Sequence, residues 1–300
     1  MPLPKVSICI PAYKQIEYLR KNLESIKAQN YLDYEIVLTD DSPNNDVNNL
    51  VKSFNFQDKL RYFKNQKTLG SPENWNEAIR HAKGEYIKIL HHDDWFTDKN
   101  SLKEFVKMLD DNPKMDFAFS ASLVLDTRTN LNHINSPSKK QRRVLARHPK
   151  SLFFGNIIGA PSATIYKSSI KEIFDNKLKW VVDIDFYIRL LNKNREFTYC
   201  KKPLICTPNK ASHQVTQLCK NNKEIELFEY IFLFSKIYNK DTKLSKYYIF
   251  FINLFKKYNV TSMDMFDQLN IKAHPMDFYQ KVMKDKSIMN LNNINKVESE

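Results

Sequence analysis

The chain has 300 residues, of which 42% are hydrophobic and 27% are charged. These proportions are typical of a globular chain that buries a core, and they exclude a disordered polymer, a collagen and a coiled coil. The 47 lysines and arginines outnumber the 34 aspartates and glutamates, and the formal net charge of +13 favours an acidic partner. A nucleotide, an anionic lipid surface and a nucleic acid are each negatively charged and would each be a suitable partner.

The cysteines and the apolar runs predict a cytoplasmic protein. The four cysteines form no C-x-x-C pair, so buried thiols in a reducing compartment are expected instead of a disulfide framework. Residues 1–10 lack a charged segment followed by a long apolar core. The densest apolar run, Tyr247–Phe255, is far shorter than the roughly 20 residues of a membrane span. The sequence therefore predicts neither an export signal nor a membrane span.

The first third of the chain alternates short apolar runs with helical patterns, as in a parallel sheet with crossover helices. The helix before the fourth strand is predicted to end at Gly84, where glycine suits a left-handed cap. This alternation predicts an α/β domain with a mostly parallel, Rossmann-like sheet flanked by helices. The predicted strands are Val6–Ile10, Tyr34–Thr39, Leu60–Phe63 and Tyr86–Leu90.

Polar and aromatic residues follow three of these strands, at Pro11–Tyr13, Asp40–Asp41 and His91–Asp94. Because open α/β sheets bind ligands at the carboxyl ends of their strands, the three segments are predicted to converge on one crevice. A divalent cation bound to a diphosphate would neutralise the adjacent carboxylates of Asp93 and Asp94. Simpler roles stay open, since Asp93 and Asp94 could cap a helix and Asp40–Asp41 could form an ordinary turn.

The chain changes character after residue 125. Residues 136–151 contain six lysines and arginines and no acid, which predicts a solvated basic loop. The remaining elements predicted in this half are a strand at 163–166, a helix at about 183–191, and two short strands at 197–200 and 204–206.

From residue 224 onward the sequence becomes helical and aromatic, with lysines interleaved. This composition predicts a separate C-terminal helical extension at residues 216–300. Its aromatic and lysine-rich helices at 228–258 would suit a membrane interface, where lysine side chains reach toward the headgroups. Packing on the rest of the chain and self-association are equally good interpretations. The tail after Ser287 has little apolar content and is predicted to fray.

Four segments resemble, in order and spacing, the signature motifs of family 2 glycosyltransferases, which have the GT-A fold. They are VSICIPAYKQIEYL, YEIVLTDDSP, GSPENWNEAIRHAKGEYIKIL with HHDDWF, and VVDIDFYIRL. The resemblance covers about residues 4–210. It implies a GT-A catalytic domain at residues 1–215, with a nucleotide-binding half at 1–125 and an acceptor half at 126–215. It also implies transfer of a sugar from a nucleotide donor, most often UDP-linked, with inversion at the anomeric carbon.

The same resemblance assigns a nucleotide site. Pro11, Ala12 and Tyr13 would line the pocket for the base and the ribose. Asp40 would bind the uracil side, and Asp93 would meet the ribose-phosphate region. An ionised carboxylate only accepts hydrogen bonds, so it suits ribose hydroxyls and the ring N–H of uracil. A UDP-sugar is therefore the expected donor.

Two further carboxylates complete the implied site. Asp94 would bind Mn²⁺ or Mg²⁺, which bridges the diphosphate and stabilises the charge on the departing UDP. Asp183, six residues before Arg189, matches the Asp-to-Arg spacing of the family's catalytic motif and would deprotonate the acceptor hydroxyl. Asp185 is the competing base. Either residue could instead interact with the helix dipole in the first turn.

Three positions depart from the family pattern. His91 replaces the aspartate that often opens the metal motif, Val182 replaces the usual glutamate before the base, and Trp75 stands where an arginine is common. His91 and His92 are interpreted as exposed loop histidines, so neither is assigned to the site. His213 could close over the diphosphate, although an ordinary surface position is expected for it.

The combined prediction is an inverting, metal-dependent glycosyltransferase acting on a glycan or lipid-linked glycan in surface polysaccharide or lipid-linked oligosaccharide synthesis. Charge and family place it in the cytoplasm, peripherally on the anionic inner face of the cell membrane. A nucleic-acid partner is not expected, because no helix-turn-helix, zinc-finger spacing or ribonucleoprotein motif occurs. A non-catalytic nucleotide- or membrane-binding scaffold with a GT-A fold is the alternative.

Overall fold

The computed structural model describes residues 3–210, 219–240 and 242–285. The chain forms two compact units, residues 1–217 and 218–300. The boundary predicted after residue 215 and the predicted position of His213 both lie outside the described residues, as does the tail after Ser287. The division of the first unit into a nucleotide-binding half and an acceptor half stays a prediction.

The first unit contains a nine-stranded sheet with helices on it. The strands are β1 (Val6–Ala12), β2 (Tyr34–Asp40), β3 (Leu60–Lys64), β4 (Tyr86–Ile89), β5 (Trp95–Phe96), β6 (Phe117–Asp126), β7 (Asn132–Asn135), β8 (Thr164–Lys167) and β9 (Thr198–Asn209). The helices are α1 (Ile16–Lys27), α2 (Asp46–Lys52), α3 (Glu73–His81), α4 (Ser101–Asp110), α5 (Lys139–Arg147) and α6 (Val182–Lys193). The strands lie in the order β3-β2-β1-β4-β8-β6-β9-β5, and β7 pairs with β6.

The first four strands are parallel, in agreement with the predicted alternation. Every residue of β1 and β2 is buried, which is why apolar residues predominate in both strands. The apolar stripes of α1 and α4 share one core with these strands, through residues such as Leu23 and Phe105. All four cysteines are free thiols.

The second half of the sheet is mixed. Strand β8 runs antiparallel to β4 and to β6, whereas β6 and β9 are parallel. Strand β7 returns antiparallel to β6 after a connection of only a few residues. A short connection of that kind permits only antiparallel pairing, because a parallel pair needs a long crossover.

The two short strands predicted at 197–200 and 204–206 are one continuous strand, β9. The register of β9 against β6 shifts beside Ser120 and Ala121, where the strand bulges through Lys201–Pro203. The register passes from Cys200 opposite Ser120 to Pro203 opposite Ala121, so Lys201 and Lys202 have no partner in β6. A bulge accommodates such extra residues, and the strand therefore continues instead of ending.

The predicted basic loop at 136–151 is wrong, because most of it is helical. Ser138 and Gln141 form a capping box in which the Gln141 N–H donates to the Ser138 hydroxyl at 3.2 Å. The Ser138 N–H donates in return to the Gln141 amide oxygen at 2.8 Å. Leu145 is fully buried and anchors the helix. The S-x-x-Q pattern is a recognisable helix start, and the run of like charges obscured it.

The predicted left-handed cap at Gly84 is wrong, because the glycines with positive φ are Gly70 and Gly159. Gly84 is required instead by close packing. A β-carbon on Gly84 would lie 2.5 Å from the Ser7 backbone nitrogen. Gly84→Ala is therefore expected to lower the free energy of unfolding by about 1–3 kcal/mol, as overpacked sites do. Urea denaturation measures this loss. Gly155→Ala is the matched control, because nothing lies within 4 Å of its β-carbon; equal losses in both variants would contradict the argument.

The second unit is helical, as predicted for the extension. Phe234 packs against Tyr247 and Phe251 with ring centroids 4.8 and 5.3 Å apart. Phe234 and Phe251 have no exposed surface. These aromatic residues therefore form part of the core of the unit, and the interpretation of residues 228–258 as membrane-interface helices stays a prediction. The helices are α7 (Lys223–Ile237), α8 (Ser245–Lys257) and α9 (Asp264–Gln268), followed by helical residues 276–285.

Among the residues described, no helix combines the length and the hydropathy needed to cross a membrane.

Candidate functional site

The carboxyl ends of β1, β2 and β4 meet, as the strand order requires. The Asp41 N–H donates to the Ala12 carbonyl oxygen at 3.0 Å, which joins the ends of β2 and β1. The Nδ1 of His92 donates to the Pro11 carbonyl oxygen at 3.1 Å, which joins the segment after β4 to β1. The predicted convergence of the three segments is therefore confirmed.

Tyr13 is the exposed member of the three residues predicted to line the base and ribose pocket, with 42% of its surface accessible. Pro11 and Ala12 are buried, and their carbonyl oxygens accept the hydrogen bonds described above. The Nζ of Lys14 lies 4.9 Å from the centroid of the Tyr13 ring. Tyr13 can thus stack on a ligand, whereas Pro11 and Ala12 set the course of the backbone.

Asp40 is placed differently from the prediction, because it has no exposed surface. Its Oδ2 accepts hydrogen bonds from the Tyr62 hydroxyl at 2.7 Å and from Lys64 Nζ at 2.9 Å. Its Oδ1 accepts from the Ser42 N–H at 2.8 Å. With both oxygens held by neighbouring residues, Asp40 orders the turn after β2 and does not offer an open acceptor to uracil. We correct its role to a supporting one.

The predicted metal motif brings His91, Asp93 and Asp94 together, with one ligand atom from each within 4.8 Å of the others. Asp94 is only 4% exposed. Burial, followed by the charge of Asp93, raises the pKa of Asp94 well above the ordinary aspartate value. Asp93 is half-buried. Two carboxylates this close, one of them buried, form a donor set that a divalent cation stabilises. The residues present therefore fit the expected metal.

His91 belongs to this cluster, and its interpretation as an exposed loop residue is wrong. Its side chain is 17% exposed, and its Nδ1 lies 3.8 Å from Asp94 Oδ2. Burial lowers the pKa of His91 to about 4, so the imidazole is neutral at neutral pH. The ring of Trp75 packs on it with centroids 4.4 Å apart. The sequence did contain a signal for this contact, because His91 and Trp75 are two of the three positions that depart from the family pattern.

A buried lysine that sequence analysis missed supports the metal motif. Lys88 in β4 has no exposed surface. Its Nζ donates to the carbonyl oxygen of Ser162 and, at 3.1 Å, to that of Ile89. The Ser162 hydroxyl accepts from the His91 N–H at 2.9 Å and also hydrogen bonds with the Asp94 carboxylate. Lys88 thus fixes the Ser162 segment against the metal motif.

Burial lowers the pKa of Lys88 to about 7, against the opposing charge of Asp94. Between pH 7 and the ordinary lysine pKa of about 10.4, Lys88 is protonated in the unfolded chain and has lost its proton in the folded chain. Through that window, the stability of the wild type is expected to rise relative to Lys88→Met by up to about 1.4 kcal/mol per pH unit. Urea denaturation across the window measures this slope. Lys103→Met, at an exposed position, is the control; parallel curves for wild type and Lys88→Met would contradict the assignment.

The predicted base, Asp183, lies in the first turn of α6 and keeps exposed surface. Its Oδ2 accepts from Asn156 Nδ2 at 2.7 Å, and its Oδ1 accepts from the Ile184 N–H at 2.8 Å. Asn156 is held in turn by the Gly159 N–H, which donates to its Oδ1 at 3.0 Å. Asn156 is a further residue that sequence analysis missed, because only the folded loop brings it to α6.

The competing carboxylate, Asp185, is 1% exposed. Its Oδ2 accepts from Arg189 Nε at 2.9 Å. Arg189 also pairs with Glu172 and donates to the Ile173 carbonyl oxygen at 2.7 Å. Asp185 therefore anchors the arginine that ties α6 to the preceding segment. Of the two candidates, Asp183 is the one with surface that a ligand could contact.

The α/β fold and the acidic cluster at its strand ends are those of a GT-A glycosyltransferase. The model of the family described as Glycosyl transferase family 2 matches residues 7–174. The chain therefore belongs to glycosyl transferase family 2, and the predicted family is confirmed.

Three relatives illustrate the range of similarity. An uncharacterized glycosyltransferase of Methanocaldococcus jannaschii is 29% identical over 209 residues, which cover 68% of this chain and 71% of that one. The GalNAc(5)-diNAcBac-PP-undecaprenol beta-1,3-glucosyltransferase of Campylobacter jejuni is 32% identical over 94 residues, covering 31% of this chain and 30% of that one. The crystal structure of S. aureus TarS residues 1–349 with UDP-GlcNAc has a TM-score of 0.63 at 16% identity, covering 94% of this chain and 80% of that one. This likeness confirms the predicted GT-A fold.

Proposed function

We propose that this protein is an inverting, metal-dependent glycosyltransferase that uses a nucleotide-sugar donor, namely a UDP-sugar. The observation that carries the proposal is the cluster of His91, Asp93 and Asp94 at the strand ends, accompanied by the separate carboxylate of Asp183 on α6. The choice of UDP is supported by S. aureus TarS, a structural neighbour that has been solved with UDP-GlcNAc and with UDP.

In this proposal the nucleotide is held by the three segments that follow β1, β2 and β4. Tyr13 stacks on the base, and Pro11 and Ala12 shape the backbone around the base and the ribose. Asp40 orders the adjoining turn through its bonds to β3. Asp93 meets the ribose-phosphate region of the donor.

The buried carboxylate of Asp94 is the principal ligand for Mn²⁺ or Mg²⁺. When bound, the metal supplies positive charge that stabilises the diphosphate as it leaves. Lys88 and Ser162 keep Asp94 in place, because both belong to the hydrogen-bonded group around the motif. A preorganised carboxylate of this kind avoids reorganisation during the reaction.

Asp183 acts on the acceptor. Its carboxylate accepts the proton of the acceptor hydroxyl as that oxygen attacks the anomeric carbon. The new glycosidic bond forms while the bond to the UDP diphosphate breaks, so a single displacement inverts the configuration. The hydrogen bond from Asn156 orients the carboxylate for this step.

The acceptor is proposed to be a glycan or a lipid-linked glycan, in the synthesis of surface polysaccharide or lipid-linked oligosaccharide. The Campylobacter jejuni relative supports this choice, because its name describes a glucosyltransferase acting on an undecaprenol-linked glycan. Such an acceptor would place the protein in the cytoplasm, on the inner face of the membrane.

A basic surface on α5 supports the membrane part of the proposal. Residues 127–171 contain no aspartate or glutamate. Lys140, Arg143 and Arg147 are exposed at helical spacing, with the exposed Val144 among them. Within the described part of the chain, none of these three basic side chains forms an ion pair. Each basic residue near an anionic membrane contributes about 1 kcal/mol of binding.

Flotation with anionic vesicles tests this surface. Changing Lys140, Arg143 and Arg147 together to glutamate is expected to reduce vesicle binding at least roughly 100-fold. The matched control changes three exposed lysines elsewhere on the first unit, Lys27, Lys52 and Lys103, to glutamate in the same way. If both triple variants lose binding equally, net charge and not the α5 surface is responsible.

Calorimetric titration of UDP, with and without Mn²⁺, tests the proposed donor and metal. We expect UDP to bind selectively over GDP and ADP, and Mn²⁺ to tighten its binding. Tighter binding of GDP would change the donor class while keeping the enzyme. Failure to bind any nucleotide would instead favour the non-catalytic scaffold.

A further inference from the structure

His91 brings a nitrogen donor into a cluster whose other members are carboxylates. Its Nδ1 is 3.8 Å from Asp94 Oδ2, which is too far for a hydrogen bond. Its Nε2 is buried and has no hydrogen-bond partner among the described residues. Buried polar atoms rarely lack a partner. One ring nitrogen of His91 lies within 4.8 Å of a carboxylate oxygen from each of Asp93 and Asp94, so a cation held by these carboxylates is within reach of the imidazole.

The position of the imidazole is fixed by its surroundings. The backbone N–H of His91 donates to the Ser162 hydroxyl at 2.9 Å, and its carbonyl oxygen accepts from Asn22 Nδ2 at 2.9 Å. The Trp75 ring covers one side of the imidazole. A ligand held by packing and by hydrogen bonds needs little rearrangement to coordinate a metal.

We propose that His91 is a direct ligand of the metal and that it biases the site toward Mn²⁺, Co²⁺ or Zn²⁺ over Mg²⁺. Mg²⁺ prefers an octahedron of oxygen ligands, whereas imidazole suits first-row transition ions. An aspartate at position 91, which the family often has, would give an all-oxygen set that accepts Mg²⁺ readily. This inference rests on the proposed function, because it concerns the metal of the same site.

Pulsed electron paramagnetic resonance of bound Mn²⁺ tests the ligand directly, since it detects a nitrogen nucleus bonded to the ion. Mn²⁺ is added to the full chain, both alone and together with UDP. The wild type is expected to show nitrogen modulation, and His91→Asp is expected to bind Mn²⁺ without it. His133→Asp, at an exposed position on β7, is the matched control and should keep the modulation. His91→Asn takes the place of His91→Asp if that variant does not fold.

Displacement of bound Mn²⁺ by Mg²⁺ tests the selectivity. The Mg²⁺ concentration that displaces half of the Mn²⁺ is expected to be at least about tenfold lower for His91→Asp than for the wild type, because even indirect metal contacts change affinity by that factor. If the same Mg²⁺ concentration displaces half of the Mn²⁺ from His91→Asp and from the wild type, the proposed selectivity is overturned. Wild-type protein that binds Mn²⁺ without nitrogen modulation overturns the ligand assignment and leaves the proposed function standing. Wild-type protein that binds UDP but no metal overturns this inference together with the metal dependence of the proposed function.

Discussion

Asp183→Asn is expected to lower turnover by about 10²–10⁴-fold, the range that a positioned general base contributes. Asparagine keeps the size of the side chain and can still hydrogen bond with Asn156, but it cannot take up the proton of the acceptor hydroxyl. Because Asp183 belongs to α6 and is not one of the residues proposed to hold the nucleotide, the Kd for UDP is expected to stay unchanged. Transfer rates and calorimetric UDP titrations of the same preparation measure both effects.

Asp185→Asn provides the comparison that separates chemistry from structure. It removes one charge of the pair with Arg189, whose side chain is 26% exposed. Because solvent partly screens this pair, the free energy of unfolding is expected to fall by about 1–3 kcal/mol, which is less than for a fully buried pair. The Tm of this variant should therefore fall, whereas that of Asp183→Asn should not. Turnover that persists in Asp183→Asn but disappears in folded Asp185→Asn would move the base to Asp185.

The strands of the first unit could be predicted because local sequence specifies them. The predicted strands Val6–Ile10 and Tyr34–Thr39 are both rich in apolar residues, and every residue of β1 and β2 is buried. Such a run is stable only where both faces are covered, as in a parallel sheet. The convergence of Pro11–Tyr13 with His91–Asp94 then follows, since the carboxyl ends of parallel strands share one edge.

The finer features of the site depend on contacts between residues far apart in the chain. Asp40 has the residue type of a uracil ligand, yet Tyr62 and Lys64 of β3 hold its carboxylate. Asn156 reaches Asp183 only because the loop that carries it folds against α6. No local periodicity or spacing encodes either contact. The burial of His91 has the same origin, since residues from separate elements surround its ring.

Asp94→Asn is expected to abolish the metal-dependent increase in UDP affinity, because it replaces the most buried carboxylate of the cluster with a neutral amide. It is also expected to stabilise the metal-free protein at neutral pH. Because the pKa of Asp94 is raised, its contribution to stability is complete below the ordinary aspartate value of about 3.9 and is lost as the pH rises through the raised pKa. Asparagine resembles the protonated form at every pH, so a gain of about 0.5–2 kcal/mol is expected at neutral pH.

These two effects predict that the order of stability reverses when metal is added. Without metal, Asp94→Asn should unfold at a higher temperature than the wild type at neutral pH, and the difference should vanish in acid. With Mn²⁺ at about 100 times its Kd, the wild type gains about 2.7 kcal/mol and should become the more stable protein. Asp111→Asn, at an exposed carboxylate, should show neither effect. A wild type that is more stable than Asp94→Asn without metal would mean that Lys88 and Ser162 already stabilise the ionised carboxylate, and that the metal only completes a site whose charge the fold has balanced.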